Sequence, residues 1–263
     1  MRKLLLLLTP IFIFAKVHYA KLEPYETITL KSAISAQVIQ SNITLEGKII
    51  KDRVVIKLDS KLDKIKLSSD RQALVLIKNM LSINSDNLSS TLESLNRQES
   101  YYNRIKNMQT ISTTKKDNAF YSFINTKKQY LGIKEKIESL KKQKLELIYD
   151  IERLKDNISK KIIRVKSRFL DKLLVHKGDF VNMGTPLARV RDLTKGKLTL
   201  FLEDDELKDI KSKKIYINSK LTKYKISKIW RVTDDKFISS YRAEIVVKSP
   251  KWEFSKLLKV ELR

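Results

Sequence analysis

Between Pro24 and Pro186 the chain runs for 161 residues without a proline, and residues 68–163 hold a single glycine, Gly132. Proline breaks a helix and glycine loosens it, so a stretch this poor in both suits long uninterrupted elements. Its apolar spacing says which kind. Leu67, Leu74, Leu81, Leu88 and Leu95 recur every seven residues, and Tyr102 continues the line. A companion line falls three or four residues along, at Ile77, Asn84, Leu92 and Ile105. A mean step of about 3.5 residues keeps one seam turned toward a partner helix. Asn84 stands on that seam, where a polar group fixes register at a cost in stability.

A second arm runs from about Lys115 to Ile163. Phe123, Tyr130, Ile137, Ile151 and Ile158 fall seven or fourteen residues apart, interleaved with Ile133, Leu140, Leu147 and Leu154. Lys144 interrupts the first line, and its aliphatic stem can lie along the seam. Between the arms, NMQTISTTKKDN loses the period and is rich in Ser, Thr and Asn, which is turn and cap chemistry. The pattern predicts an antiparallel coiled-coil hairpin. Arms of roughly 40 to 48 residues reach about 60 to 70 Å. Two helices of a compact bundle are the alternative.

Both flanks of the hairpin change period. Residues 25–58 alternate apolar and polar residues and are rich in Ile, Val and Thr, which is strand character. After the hairpin comes RFLDKLLVHKGDFVNMGTPLARVRD, with Gly178 and Gly184 at turn positions. The two flanks resemble each other. LEGKIIKDRVVIKLD carries Gly47 and closes at Asp59; HKGDFVNMGTPLARVRD carries Gly178 and closes at Asp192. Each has an apolar residue three positions after its glycine. The first copy is two residues shorter and has Asp52 near the place of the second glycine.

The N-terminus reads as an export signal. Arg2 and Lys3 precede an apolar run from Leu4 to Ala15, 12 residues and too short to span a membrane core of about 30 Å. Cleavage after Ala20 is preferred, with an uncleaved short anchor as the alternative. Losing Arg2, Lys3 and Lys16 takes the net charge from +25 to +22. Export removes nucleic acid as the expected partner of a basic chain. Of the 55 cations 42 are Lys, in runs of at most two, which suits a dispersed solvated surface. Over half the mature charge, +12, lies in residues 164–263, and anionic headgroups or an acidic partner face are its functional counterparts. With no cysteine there is no disulfide, Cys-based zinc site, Cys nucleophile or lipidated N-terminal cysteine.

The order signal, β half-motif, hairpin, β half-motif, β-rich tail resembles the periplasmic adaptors, or HlyD-like membrane fusion proteins, of tripartite efflux and type I secretion systems. The second half-motif carries the likeness in Gly178, Asp179, Val181, Gly184, Pro186, Leu187 and Asp192. Beyond it, KLTLFLEDDELKDIKSKKIYI and SYRAEIVVKS resemble the family's barrel: strand, short acidic helix, strand, then further strands. The resemblance implies an elongated α+β fold, with the hairpin inserted in a lipoyl-like β-sandwich and a small β-barrel after it. Its parts would be a signal peptide at 1–20, strands and first lipoyl half-motif at 21–67, and the hairpin at 68–163. The second half-motif would take 164–193 and the barrel 194–263, with the motif turns at Gly47, Gly178 and Gly184.

The resemblance also implies a docking tip. Adaptors of TolC-type channels carry an Arg, a Leu four residues later, a Ser after the turn and an Asp five beyond. Arg104, Met108, Ser112 and Asp117 match here. Met replaces Leu, and the Met-to-Ser spacing is three residues short of the commonest, so Thr113 and Thr114 stand beside Ser112 as alternatives. An apolar knob and flanking donors suit a groove between channel helices. The implied partners are an inner-membrane transporter, ABC-type or proton-driven, a TolC-type outer-membrane channel and further copies in a ring. The location would be the periplasm, with contact to the inner-membrane surface. Only 70 residues follow Leu193, enough for a barrel and not for a complete membrane-proximal domain.

No enzyme is expected. His176 is the one histidine after the expected signal, beside a turn, and no Ser near it has a triad setting. Asp204, Asp205, Glu206 and Asp209 lack calcium-loop glycine spacing and read as a solvated acidic face. The four methionines are scattered, so no metal or cofactor site is assigned. Two other readings stay open: a lipoyl- or biotinyl-type carrier subunit, and an envelope coiled-coil scaffold without a channel partner.

Overall fold

The computed structural model describes residues 16–234 and 236–263. The chain is α+β and divides into two compact units, Leu58–Ile162 and the remainder. The apolar run Leu4–Ala15 lies outside the described residues.

The first unit is a pair of long helices, α1 (Lys61–Ile105) and α2 (Thr113–Lys160), of 45 and 48 residues. They run antiparallel. At one end Lys161 Nζ pairs with Asp63, 2.5 Å, and the Leu58 amide donates to the Lys161 carbonyl. At the other, the Tyr102 ring meets Phe120 and Phe123. On α2 the inward residues include both expected lines, Phe123, Tyr130, Ile137, Ile151 and Ile158 with Ile133, Leu140, Leu147 and Leu154, and Ala119 ahead of them. Lys144 lies half-buried among them. On α1 the leucine line also points inward, but the companion line differs. Leu92 is 40% exposed, and the inward residues are Asp70, Ile77, Asn84, Thr91, Gln98 and Ile105. Strict heptad spacing from Asn84 selects Thr91, one residue before the leucine. α1 begins at Lys61, ahead of the expected 68, because Ser60 and Asp59 mark the turn into it.

The second unit holds every strand. They are β1 (Val17–Lys31), β2 (Ala36–Ser41), β3 (Lys48–Leu58), β4 (Ile162–Leu173), β5 (Phe180–Val181) and β6 (Pro186–Leu202). A short helix α3 (Asp204–Leu207) follows, then β7 (Ile215–Ile217), β8 (Lys220–Leu221), β9 (Ile226–Thr233), β10 (Tyr241–Lys248) and β11 (Leu257–Leu262). The strand order is β5-β2-β3-β4-β6-β1-β11-β7-β8, with β10 on β6 and β9 on β10. Period-two alternation turns one face of the sheet toward the core. Leu198, Leu200 and Leu202 of β6 face inward and sit opposite Ile245, Ala243 and Tyr241 of β10. Gly196 is required where β6 crosses β1, because a Cβ there would lie 2.5 Å from the buried Leu22 Cδ1.

β6 runs unbroken from Pro186 to Leu202, past the boundary expected at 193. β1 likewise crosses the boundary expected at 20: Leu22–Lys31 pairs with β6, while Val17–Lys21 pairs with β11. Residues 17–20 therefore belong to the sheet of the β unit. Ala20 is 2% exposed, and cleavage after it would strip an edge of β11.

Candidate functional site

The hairpin tip is the loop 106–112 and the turns beside it. Ile105 and Ala119, both buried, close the seam below it. Tyr102 lies flat against Phe123, with centroids 6.2 Å apart and planes 6° apart, and tilts against Phe120 at 5.4 Å. This aromatic shelf holds the tip in place. Phe120 was not singled out by sequence, although its three-residue offset from Phe123 signals a shared face.

Above the shelf the tip residues are exposed. Arg104 stands in the last turn of α1, its guanidinium 5.9 Å from the Tyr101 ring centre. Met108, 45% exposed, is tied through its amide to the Ile105 carbonyl. Ser112 is the N-cap of α2, yet its hydroxyl caps no backbone amide; its carbonyl accepts from Lys115 and Lys116 instead. Thr113, Thr114 and Asp117 lie in the first turns of α2 and are exposed. The tip so carries the Arg104 guanidinium, the Met108 thioether and the Ser112 hydroxyl toward solvent.

Backbone hydrogen bonds tie each turn glycine to a strand from the other side of the hairpin: the Gly47 amide donates to the Leu170 carbonyl of β4, and the Gly178 amide to the Val38 carbonyl of β2. Gly47, Gly178 and Gly184 have φ of +72°, +102° and +87°, values that side-chain-bearing residues rarely adopt. Three positions after the first two, Ile50 and Val181 are buried at 3% and 1%. The closing residues also match: Asp59 Oδ1 accepts from the Lys61 amide and Asp192 Oδ1 from the Thr194 amide, both at 2.9 Å. The Thr194 hydroxyl and nearby Arg168 hold the Asp192 carboxyl below its usual range. The copies part at Asp52. β3 runs straight through it, and Asp52 pairs with Arg164 and Lys166 where the second copy turns at Gly184.

One acidic residue departs from the solvated face expected of it. Glu206 is 8% exposed; it accepts from the His18 ring at 2.6 Å and from the Glu203 amide. Its partner sits 188 residues away, and no local pattern signals that contact. His176 is exposed, its amide donating to Asp179. Among the described residues no group of three or more His, Asp or Glu is placed to hold a metal, and no helix is long and apolar enough to cross a membrane.

A helical hairpin set between paired β half-motifs, with barrel strands following, is the fold of the membrane fusion proteins. No protein-family model matches the sequence, and no curated protein matches it. Solved structures do. MacA from Actinobacillus actinomycetemcomitans is 16% identical, with a TM-score of 0.65 over 94% of this chain and 78% of that one. The membrane fusion protein Spr0693 from Streptococcus pneumoniae is 8% identical, with a TM-score of 0.64 over 95% of this chain and 99% of that one. A MacA-MexA chimera carrying the Pseudomonas aeruginosa MexA α-hairpin is 16% identical, with a TM-score of 0.55, covering 94% and 78%.

Proposed function

We propose that the chain is a periplasmic adaptor for efflux or secretion, joining an inner-membrane transporter to a TolC-type outer-membrane channel. The observation that supports this reading is the exposed tip of a long helical hairpin inserted in the sequence between two β segments, which we take as the halves of a lipoyl-like β-sandwich. In it the helices pack as a coiled coil, and Arg104, Met108 and Ser112 seat the tip among the channel's helices. Met108 fills an apolar groove while Arg104 and the Ser112 hydroxyl donate to carbonyls or carboxylates there. The work is sealing and alignment, not turnover.

Copies of the chain form a ring. The support is apolar surface off the seam: Leu62, Leu76, Leu145 and Tyr149 are each at least 63% exposed. The basic residues of 164–263 meet the transporter and the anionic inner-membrane surface. The carrier-subunit reading gains nothing, since the segment between the half-motifs, where a carrier lysine would stand, is the hairpin.

Capture of the channel from detergent-solubilised envelopes by the tagged protein tests the reading. Met108→Asp and Arg104→Asp each abolish capture while leaving export and helix content intact. Undiminished capture by both variants overturns the tip assignment.

A further inference from the structure

The barrel wall is open on one side. β9 pairs with β10 alone and β8 with β7 alone. The segment Ile210–Lys213 faces β9 across a cavity of about 470 Å³, within the range of small-molecule sites, roughly 300–1,000 Å³. No backbone hydrogen bond joins the two walls among the described residues.

The cavity is amphipathic. Its floor is Ile210, which is buried, with Ile226 and Ile229 packed on the barrel core. Its rim is Lys211, Lys213, Lys225 and Lys228. Ion pairs elsewhere in the barrel engage Lys197, Lys259 and Arg263, and none engages these four among the described residues. Lys213 Nζ is fixed by the Glu206 carbonyl at 2.9 Å, and Lys228 Nζ lies 4.2 Å from the Trp230 ring centre. Neither contact cancels a full charge. Lysines commonly guard a free strand edge, which accounts for Lys228 on β9 and Lys225 just before it. It does not account for Lys211 and Lys213, which lie on the opposite wall. Four lysines without a carboxylate partner among the described residues line a cavity with an apolar floor, a setting whose positive potential favours an anion.

We propose that this cavity binds an anionic amphiphile: an alkyl chain on the isoleucine floor, a phosphate or carboxylate head at the lysine rim. Lysine suits such a head as a compact point charge. The chemistry has two sources, a membrane phospholipid and a free amphiphile.

Isothermal titration of the full chain with dodecyl phosphate, below its micelle concentration, tests the proposal. One saturable site per chain is expected. Inorganic phosphate and dodecyl maltoside bind at least about tenfold more weakly, since each lacks half of the recognition. Lys211→Glu/Lys225→Glu weakens dodecyl phosphate by at least about tenfold, while Lys134→Glu/Lys136→Glu, the same charge change on α2, leaves it unchanged. Circular dichroism checks folding, and Lys211→Gln/Lys225→Gln replaces the reversal if that variant unfolds. No saturable binding, equal affinity for dodecyl maltoside, or equal losses in the two double variants overturns the proposal. Co-sedimentation with vesicles separates the sources. Pelleting on phosphatidylglycerol but not phosphatidylcholine, lost in Lys211→Glu/Lys225→Glu, assigns a lipid headgroup. Dodecyl phosphate binding without such pelleting assigns a free amphiphile.

Discussion

The hairpin and the β unit bury apolar surface in opposite ways. In the β unit Leu22, Leu170, Leu198, Leu200, Ile245 and Leu258 are wholly closed off, and the inward faces of β1, β6, β10 and β11 meet in one core. In the hairpin only Leu95 and Ile105 of α1, with Ala119, Ile137, Leu140 and Ile151 of α2, are buried apolar residues. One of the two seam lines on α1 is mostly polar, through Asp70, Asn84, Thr91 and Gln98. The β unit is built for stability. The hairpin is built for register, and it leaves many of its apolar side chains exposed.

The largest predicted effect tests how far the β unit depends on its first strand. A chain beginning at Lys21 loses the β1–β11 pairing and leaves Glu206 buried without His18. Leaving a buried acceptor without its donor costs about 1–3 kcal/mol, and the lost strand pairing and exposure of the core beneath it add to that. Urea unfolding of this chain, against one beginning at Lys16, reads that loss at β-unit tryptophans, while the helical signal of the hairpin holds. Equal stability of the two chains would place residues 16–20 outside the working fold.

Next comes the contrast between cores. Leu198→Ala costs about 3 kcal/mol, as for a closed core leucine. Leu81→Ala, half-exposed on the seam, costs about 1 kcal/mol. Chemical denaturation followed by separate tryptophan and helix signals resolves both, and equal costs would break the comparison.

This difference also explains what was legible in the sequence. A helix face turned to a partner helix writes itself as a period, so Leu67 through Tyr102 and both lines of α2 could be read residue by residue. The eye errs only where an apolar neighbour competes with the period, as Leu92 does with Thr91. The turn glycines were legible because few residues tolerate their φ. The start of β1 was not. Val17 and Tyr19 point outward while His18 and Ala20 point inward. That inverted alternation, coming straight after an apolar run, read as the tail of an export signal. The His18–Glu206 contact was hidden by its sequence separation.

Smaller effects sharpen the picture. Gly184→Ala forces a side chain into φ of +87° and costs about 1–2 kcal/mol, read as a lower melting midpoint of the β unit alone. Asn84 donates through Nδ2 to the Met80 carbonyl at 2.7 Å rather than across the seam. Asn84→Leu therefore stabilises the hairpin by about 1 kcal/mol and loosens its register, visible as slower amide exchange in α1 with broader cysteine-crosslinking between engineered α1 and α2 positions.

The central claim is that the hairpin tip is a docking element for an outer-membrane channel. A photo-crosslinking amino acid at position 108, activated in intact cells, tests it most directly. The account predicts a single major adduct whose mass identifies an outer-membrane channel, absent when the crosslinker stands at exposed position 145. Adducts to no channel from position 108, or the same adducts from both positions, would contradict it.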